Sequence, residues 1–189
     1  MLRRYFFFIA VGVITSVTPA FADAGVPMIA LTLPGMLIVL APIITVESYL
    51  LVRSLQIGMW RSMKVMTIAN VVSTIIGMPV TWVLLVLMEL MTSGGRAYGM
   101  DTLFKRFLAV TWQAAWLIPY EEELHWMIPA ATLVLLVPFF FASWFVEYQV
   151  AKALLREVSA DAVKKAVLQA NVASYGLLGG IVLRFLVAR

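Results

Sequence analysis

The chain has no cysteine. That removes disulfides, thiolate metal sites, cysteine nucleophiles and iron–sulfur ligation at once. It has a single histidine, His125, so no second imidazole is present for general-base work. There is no G-x-S-x-G, no H-E-x-x-H and no glycine-rich phosphate loop, so the familiar nucleophile, zinc and nucleotide signatures are missing. Charge is scarce too. Only 13% of residues are Asp, Glu, Lys or Arg, where a soluble domain carries about a quarter. No basic face interleaved with exposed aromatics is present, which excludes a nucleic-acid binder. Strand-like alternation of apolar and polar residues is absent as well.

What fills the space is apolar. Hydrophobic residues make up 63% of the 189, and the mean hydropathy is +0.98. The length suits one compact domain. Long runs almost free of charge place it in a bilayer, where about 20 apolar residues span the hydrocarbon. Because unpaired backbone groups are too costly in lipid, the fold is predicted to be all-α.

Two stretches say nearly the same thing. The first runs Pro34, Glu47-Ser48-Tyr49, Arg53, Lys64 and Ala69-Asn70-Val71-Val72-Ser73. The second runs Pro129, Glu147-Tyr148, Lys152, Lys165 and Ala170-Asn171-Val172-Ala173-Ser174. Each is an apolar segment ending in a glutamate, a basic loop, and then Ala-Asn-Val-x-Ser opening a second apolar segment. Glu47 and Asn70 are 23 positions apart, and Glu147 and Asn171 are 24 apart. This predicts two transmembrane hairpins, residues 23–92 and 127–189. Both turn through basic loops, so the repeats are parallel and related by an axis along the membrane normal.

In chain order, residues 1–22 have the form of a secretory signal. Arg3 and Arg4 come first, then an apolar stretch, then Ala20-Phe21-Ala22 as an A-x-A cleavage pattern. The alternative is an uncleaved first helix. Residues 26–52 form the first mature span, with Pro27, Pro34 and Pro42 inside. The loop 53–64 carries Arg53, Arg61 and Lys64 and no acid, so it is expected on the cytoplasmic side. Residues 65–91 form the second span, with Asn70, Ser73 and Gly77 on one face and Glu89 near the outer end. Such a small and polar stripe usually faces another helix.

The long connection, residues 93–126, starts with the helix breaker Ser93-Gly94-Gly95. Over residues 101–110 the polar Asp101, Thr102, Lys105 and Arg106 oppose Leu103, Phe104, Phe107 and Val110. That predicts an amphipathic helix lying in the membrane interface. Trp112, Trp116, Glu121, Glu122, Glu123, His125 and Trp126 follow and form an expected extracytoplasmic contact loop, with tryptophans at headgroup depth. Glu121 and His125 stand at i and i+4, but a lone histidine without further ligands is a weak zinc signal, and no metal is assigned. Residues 127–150 form the third span. The loop 151–165 holds Lys152, Arg156, Lys164 and Lys165, and Ser159 can start a helix within it. Residues 166–187 form the fourth span, with Gly176, Gly179 and Gly180.

Glu47 lies six residues before Arg53, and Asn70 six after Lys64. Both therefore sit about 9 Å inward of their loop charges. Glu147 and Asn171 take the same depth. Symmetry would bring Glu47, Asn70, Ser73, Glu147, Asn171 and Ser174 near the centre. Intramembrane acids are costly, by about 2.5–3.5 kcal/mol at mid-membrane, and suggest function. One reading is an ion or proton site. The other, preferred, is a structural clamp in which each glutamate bonds its own hairpin's asparagine.

The expected function is therefore non-enzymatic: a subunit or assembly factor of a membrane complex, or a homodimer, in a bacterial inner membrane. The alternative is a small dimeric ion or proton transporter using the Glu/Asn/Ser set. An intramembrane enzyme ranks third, and no cofactor is assigned.

Overall fold

The computed structural model describes residues 26–94, 98–117 and 123–187. The signal-like segment 1–22, with Glu121 and Glu122, lies outside them. Four helices are long and apolar enough to cross a membrane: α1 (Met28–Leu55), α2 (Met59–Ser93), α4 (Leu124–Leu154) and α5 (Ala160–Val187). A short helix, α3 (Leu103–Thr111), stands between α2 and α4. The protein is thus an all-helical, multi-pass membrane chain, apart from a two-residue antiparallel bridge. In that bridge β1 (Val26–Pro27) pairs with β2 (Trp116–Leu117), Val26 opposite Leu117.

The four long helices close a ring. α1 packs on α2 and α5, and α4 packs on the same two. Small side chains make the approach possible. Ala69 on α2 and Ala170 on α5, each just before its asparagine, are fully buried. One apolar core joins Met28, Met78, Leu117, Met127, Leu135 and Phe139. A second, nearer the two short connections, joins Leu51, Val65, Met66, Ala151, Val163 and Val167. Along each helix the polar residues 47, 70, 147 and 171 fall between these two cores.

The helices run further than hydropathy predicts. The expected loop 53–64 shrinks to three residues, 56–58, with Arg53 ending α1 and Arg61 and Lys64 opening α2. The expected loop 151–165 shrinks to 155–159, and α5 begins at Ala160, six residues before the predicted start. Hydropathy marks where a helix leaves hydrocarbon, not where its hydrogen bonds end. A 28-residue helix such as α1 is about 42 Å long against a hydrocarbon core of about 30 Å. The basic residues of these extensions lie over aromatic rings one turn or more away: Arg53 over Tyr49 at 5.6 Å, Lys152 over Tyr148 at 5.8 Å and Lys64 over Trp60 at 5.2 Å. Such contacts hold a cation against apolar surface while its tip reaches water.

The helix ends have local causes. Gln56 takes the left-handed conformation (φ 55°) that stops α1, and its side chain donates to the Arg53 carbonyl at 2.9 Å. Asn and Asp tolerate that region better than most because they bond the nearby backbone, and the Gln56 amide makes a bond of the same kind. Gly94 (φ 62°) ends α2 as expected of a glycine there. Ser159 caps α5, its Oγ accepting from the Ala162 N–H at 3.4 Å.

α2 carries a π turn over Ser73–Gly77, in which the Met78 N–H reaches back five residues to the Ser73 carbonyl. Pro79 follows. Its missing N–H cannot bond back into the preceding turn, and the widened turn stands directly before it. α5 has no proline near the matching place and stays α-helical through Val187.

After α3 the chain folds back over the mouth of the bundle. The Ala115 carbonyl accepts from the Met28 N–H at 3.2 Å and from Trp82 Nε1 at 2.7 Å. Trp82 and Trp116 stack with centroids 5.6 Å apart. Thr102 caps α3, accepting from the Lys105 N–H at 3.2 Å. Leu103, Phe104 and Phe107 are exposed, whereas Val110, expected on the same face, turns into the core. The reason is geometric. Val110 lies at the end of α3 that packs on α4, so burial there outweighs a shared outward face.

Candidate functional site

The six polar residues singled out from the repeats meet in one buried cluster. Glu47 and Ser73 are 1% and 2% exposed, and Glu147, Asn70, Asn171 and Ser174 are buried to a similar degree. Glu47 Oε2 accepts from Asn70 Nδ2 at 2.6 Å, and Glu147 Oε2 accepts from Asn171 Nδ2 at 2.6 Å. The second oxygens cross over. Glu47 Oε1 accepts from Ser174 Oγ at 2.5 Å, and Glu147 Oε1 accepts from Ser73 Oγ at 2.9 Å. Each carboxyl therefore ties its own helix pair with an amide and the other pair with a hydroxyl.

Local helix geometry presents these donors. Each asparagine spends its other N–H on the carbonyl one turn back, Asn70 on Met66 at 3.0 Å and Asn171 on Val167 at 3.2 Å. The serines follow three residues later, on the same face, near the Asn70 and Asn171 carbonyls at 3.1 and 3.2 Å. A serine hydroxyl has one hydrogen, and each of these two has two acceptor oxygens within reach. It donates either to the opposite carboxyl or to its own helix. If it donates to its helix, the carboxyl can supply the missing hydrogen by carrying a proton. No Lys, Arg or His joins the hydrogen bonds among these six residues, so the carboxyls are held by neutral partners.

The α2 stripe read from the sequence packs as expected. A Cβ on Gly77 would stand 3.5 Å from Val146 of α4, in ordinary contact. On α5 the glycines do otherwise. Gly176 and Gly180 face open space, and only Gly179 approaches a neighbour, Leu136, at 3.8 Å.

The contact-loop residues within the described chain are spread along the rim of the bundle and bonded into it. Trp112 Nε1 donates to Thr92 Oγ1 at 2.9 Å. Trp116 stacks on Trp82. Trp126 Nε1 donates to Glu123, which also faces Arg106 of α3 at 3.7 Å. His125 is exposed at the start of α4. Among the described residues no group of three or more His, Asp or Glu is placed to hold a metal ion.

The sequence reading passed over three features. Ser143 and Tyr175 share a hydrogen bond of 2.8 Å between α4 and α5. Ser62 of α2 donates to the Ser48 carbonyl of α1 at 2.7 Å. Glu89, noted only for its position, is 8% exposed, and its Oε2 is buried without a donor. A glutamate so close to the end of an apolar span could have been marked by that fact alone, but its burial depends on how α3 and α4 close over it.

No family model, no curated protein and no solved structure matches the chain.

Proposed function

We propose that this chain is a non-enzymatic, multi-pass subunit or assembly factor of a membrane complex, in a bacterial inner membrane, built as two parallel hairpin repeats locked at their centre. The observation that carries it is the outward pair Gly176 and Gly180. They stand one turn apart on α5, with open space where side chains would be. Paired small residues on a membrane helix let a second backbone approach closely. The inward face of α5 is already taken up by Asn171, Ser174 and Leu178, so among the described residues the glycine face is left free to meet another chain or another copy.

The repeat reading is supported by the crossed bonds. Exchanging the two helix pairs exchanges Glu47–Asn70–Ser174 with Glu147–Asn171–Ser73. On this reading the cluster is a lock. All four carboxyl oxygens have donors, and neither of the two described cavities is lined by any of the six residues. The basic ends near residues 53–64 and 152–165 orient both connections to the cytoplasm. α3 lies in the opposite interface, with Leu103, Phe104 and Phe107 toward lipid.

The test is a tagged pull-down from native membranes in mild detergent, with the mass of the complex measured for the wild type and for Gly176→Ile with Gly180→Ile. Foreign subunits at fixed stoichiometry, lost in the double variant, are the expected result. A monomer that is unchanged by the substitutions refutes the reading.

A second reading, ion or proton transport by a dimer, draws on one observation: two carboxyls with no cationic partner lie side by side in the bundle. Glu47→Gln and Glu147→Gln would then abolish flux in liposomes. Under the lock reading they change stability alone.

A further inference from the structure

Between α2, the end of α3 and α4 lies a cavity of about 200 Å³. A single water needs on the order of 10–15 Å³ of such space, so there is room for several heavy atoms. Its walls include Leu85 and Glu89 of α2, Thr111 and Trp112 at the end of α3, and Val134 and Pro138 of α4. The lining is mostly apolar and has one acid.

One oxygen of that acid is unsatisfied. Glu89 is buried, and its Oε2 has no hydrogen-bond donor. Buried polar atoms are almost always bonded, and an exception calls for a cause. A second acceptor joins it. Pro138 has no N–H, so the carbonyl four residues back, that of Val134, lacks its helical donor.

The donors around the cavity are engaged elsewhere. The Thr111 hydroxyl donates to the Phe107 carbonyl at 2.7 Å, and Trp112 Nε1 donates to Thr92 at 2.9 Å. The two cations of α3 are taken as well, Lys105 by Asp101 at 2.8 Å and Arg106 by the Met100 carbonyl at 3.0 Å. The cavity thus offers acceptors, an aromatic wall and apolar surface, and both side-chain donors in its described lining are engaged.

We propose that this cavity binds a primary ammonium group carried on a small apolar body, with Glu89 as its counter-ion. Three N–H donors match the carboxyl and the freed carbonyl. The Trp112 ring adds an attractive face for a cation, and the apolar body takes up the Leu85 side. Glu89 lies four residues from the end of α2, so the ligand arrives from the membrane surface at that end. A free alkylamine and an ethanolamine lipid headgroup both carry this chemistry.

The test uses the full chain in phosphatidylcholine nanodiscs, whose quaternary headgroup has no N–H. Butylammonium and 1-butanol are titrated by calorimetry, with empty nanodiscs as the blank. Butylammonium should bind and butanol should bind at least about tenfold more weakly, as expected for losing a charged hydrogen bond. Glu89→Gln keeps the shape and should remove that difference. Val134→Phe fills the cavity without touching the carboxyl and should weaken both probes, with helical content checked by circular dichroism. Repeating the titration with phosphatidylethanolamine separates the sources. A weaker apparent affinity there identifies the lipid headgroup as ligand, and an unchanged one identifies a free amine. Equal binding of amine and alcohol, or full affinity in Glu89→Gln, overturns the proposal.

Discussion

Replacing Ser174 with alanine asks whether the two helix pairs are joined through their polar centre. Its hydroxyl is 1% exposed and donates across the bundle to Glu47 at 2.5 Å. Removal takes away that bond but leaves the Asn70–Glu47 bond of 2.6 Å within the first pair. Interhelical hydrogen bonds in membranes average about 0.6 kcal/mol and reach about 1.7. An acceptor orphaned in the interior costs about 1–3 kcal/mol. Glu47 Oε1 is orphaned here, and the bond is short, so the expected loss is at the upper end, about 1.5 kcal/mol. Ser73→Ala removes the matching bond of 2.9 Å to Glu147 and should cost about 1 kcal/mol on the same scale. The two carboxyls belong to one cluster, so the double variant should depart from additivity by about 0.5 kcal/mol or more. Equilibrium unfolding in mixed micelles, followed by the fluorescence of the six tryptophans, measures all three. A Ser174→Ala protein within about 0.3 kcal/mol of the wild type, inside the usual scatter of additive sites, refutes the idea that the pairs are joined there.

Gly77→Ala should be nearly neutral, because its new Cβ meets Val146 at an ordinary 3.5 Å, whereas Gly77→Leu should cost about 1–3 kcal/mol by overpacking; melting temperatures in detergent separate the two. Trp82→Phe removes the donor to the Ala115 carbonyl at 2.7 Å and part of the stack on Trp116. It should loosen residues 112–117 by about 1–2 kcal/mol, read as faster proteolysis of that segment with the bundle intact. Asp101, outside the spans, is held below the usual carboxylate range by its bond to Lys105 and by its own backbone. A depressed carboxyl stabilises above its unfolded value and loses that contribution as pH falls through the folded one. Acidification through this range should therefore fray the start of α3, as seen in faster amide exchange at residues 103–106, and the change should be absent in Asp101→Asn.

Membrane class, helix number and the membership of the polar cluster were all legible without coordinates. Low charge and long apolar runs without strand-like alternation point to helices in lipid, and near-identical spacing of glutamate, asparagine and serine put those six residues at corresponding positions. The bonds from Glu47 to Asn70 and from Glu147 to Asn171 follow from that spacing, because consecutive helices joined by a short turn must lie side by side. The crossed bonds do not. Glu47 and Ser174 are 127 positions apart, and only the closing of the ring, α1 against α5 and α2 against α4, decides which carboxyl meets which hydroxyl. The same holds for Glu89. Its sequence neighbours are apolar, and what leaves its oxygen unpaired is the way the end of α3 and the Pro138 stretch of α4 enclose it. The π turn over Ser73–Gly77 and the long helical extensions at residues 53–64 and 151–165 were also beyond reach. Hydropathy reports solvent preference, whereas hydrogen-bond continuity depends on what packs beside the backbone. Sequence alone determined the apolar, helical class of the chain and which polar residues recur at one spacing; tertiary structure decided their partners, because pairing across the bundle depends on helix arrangement that local composition does not encode.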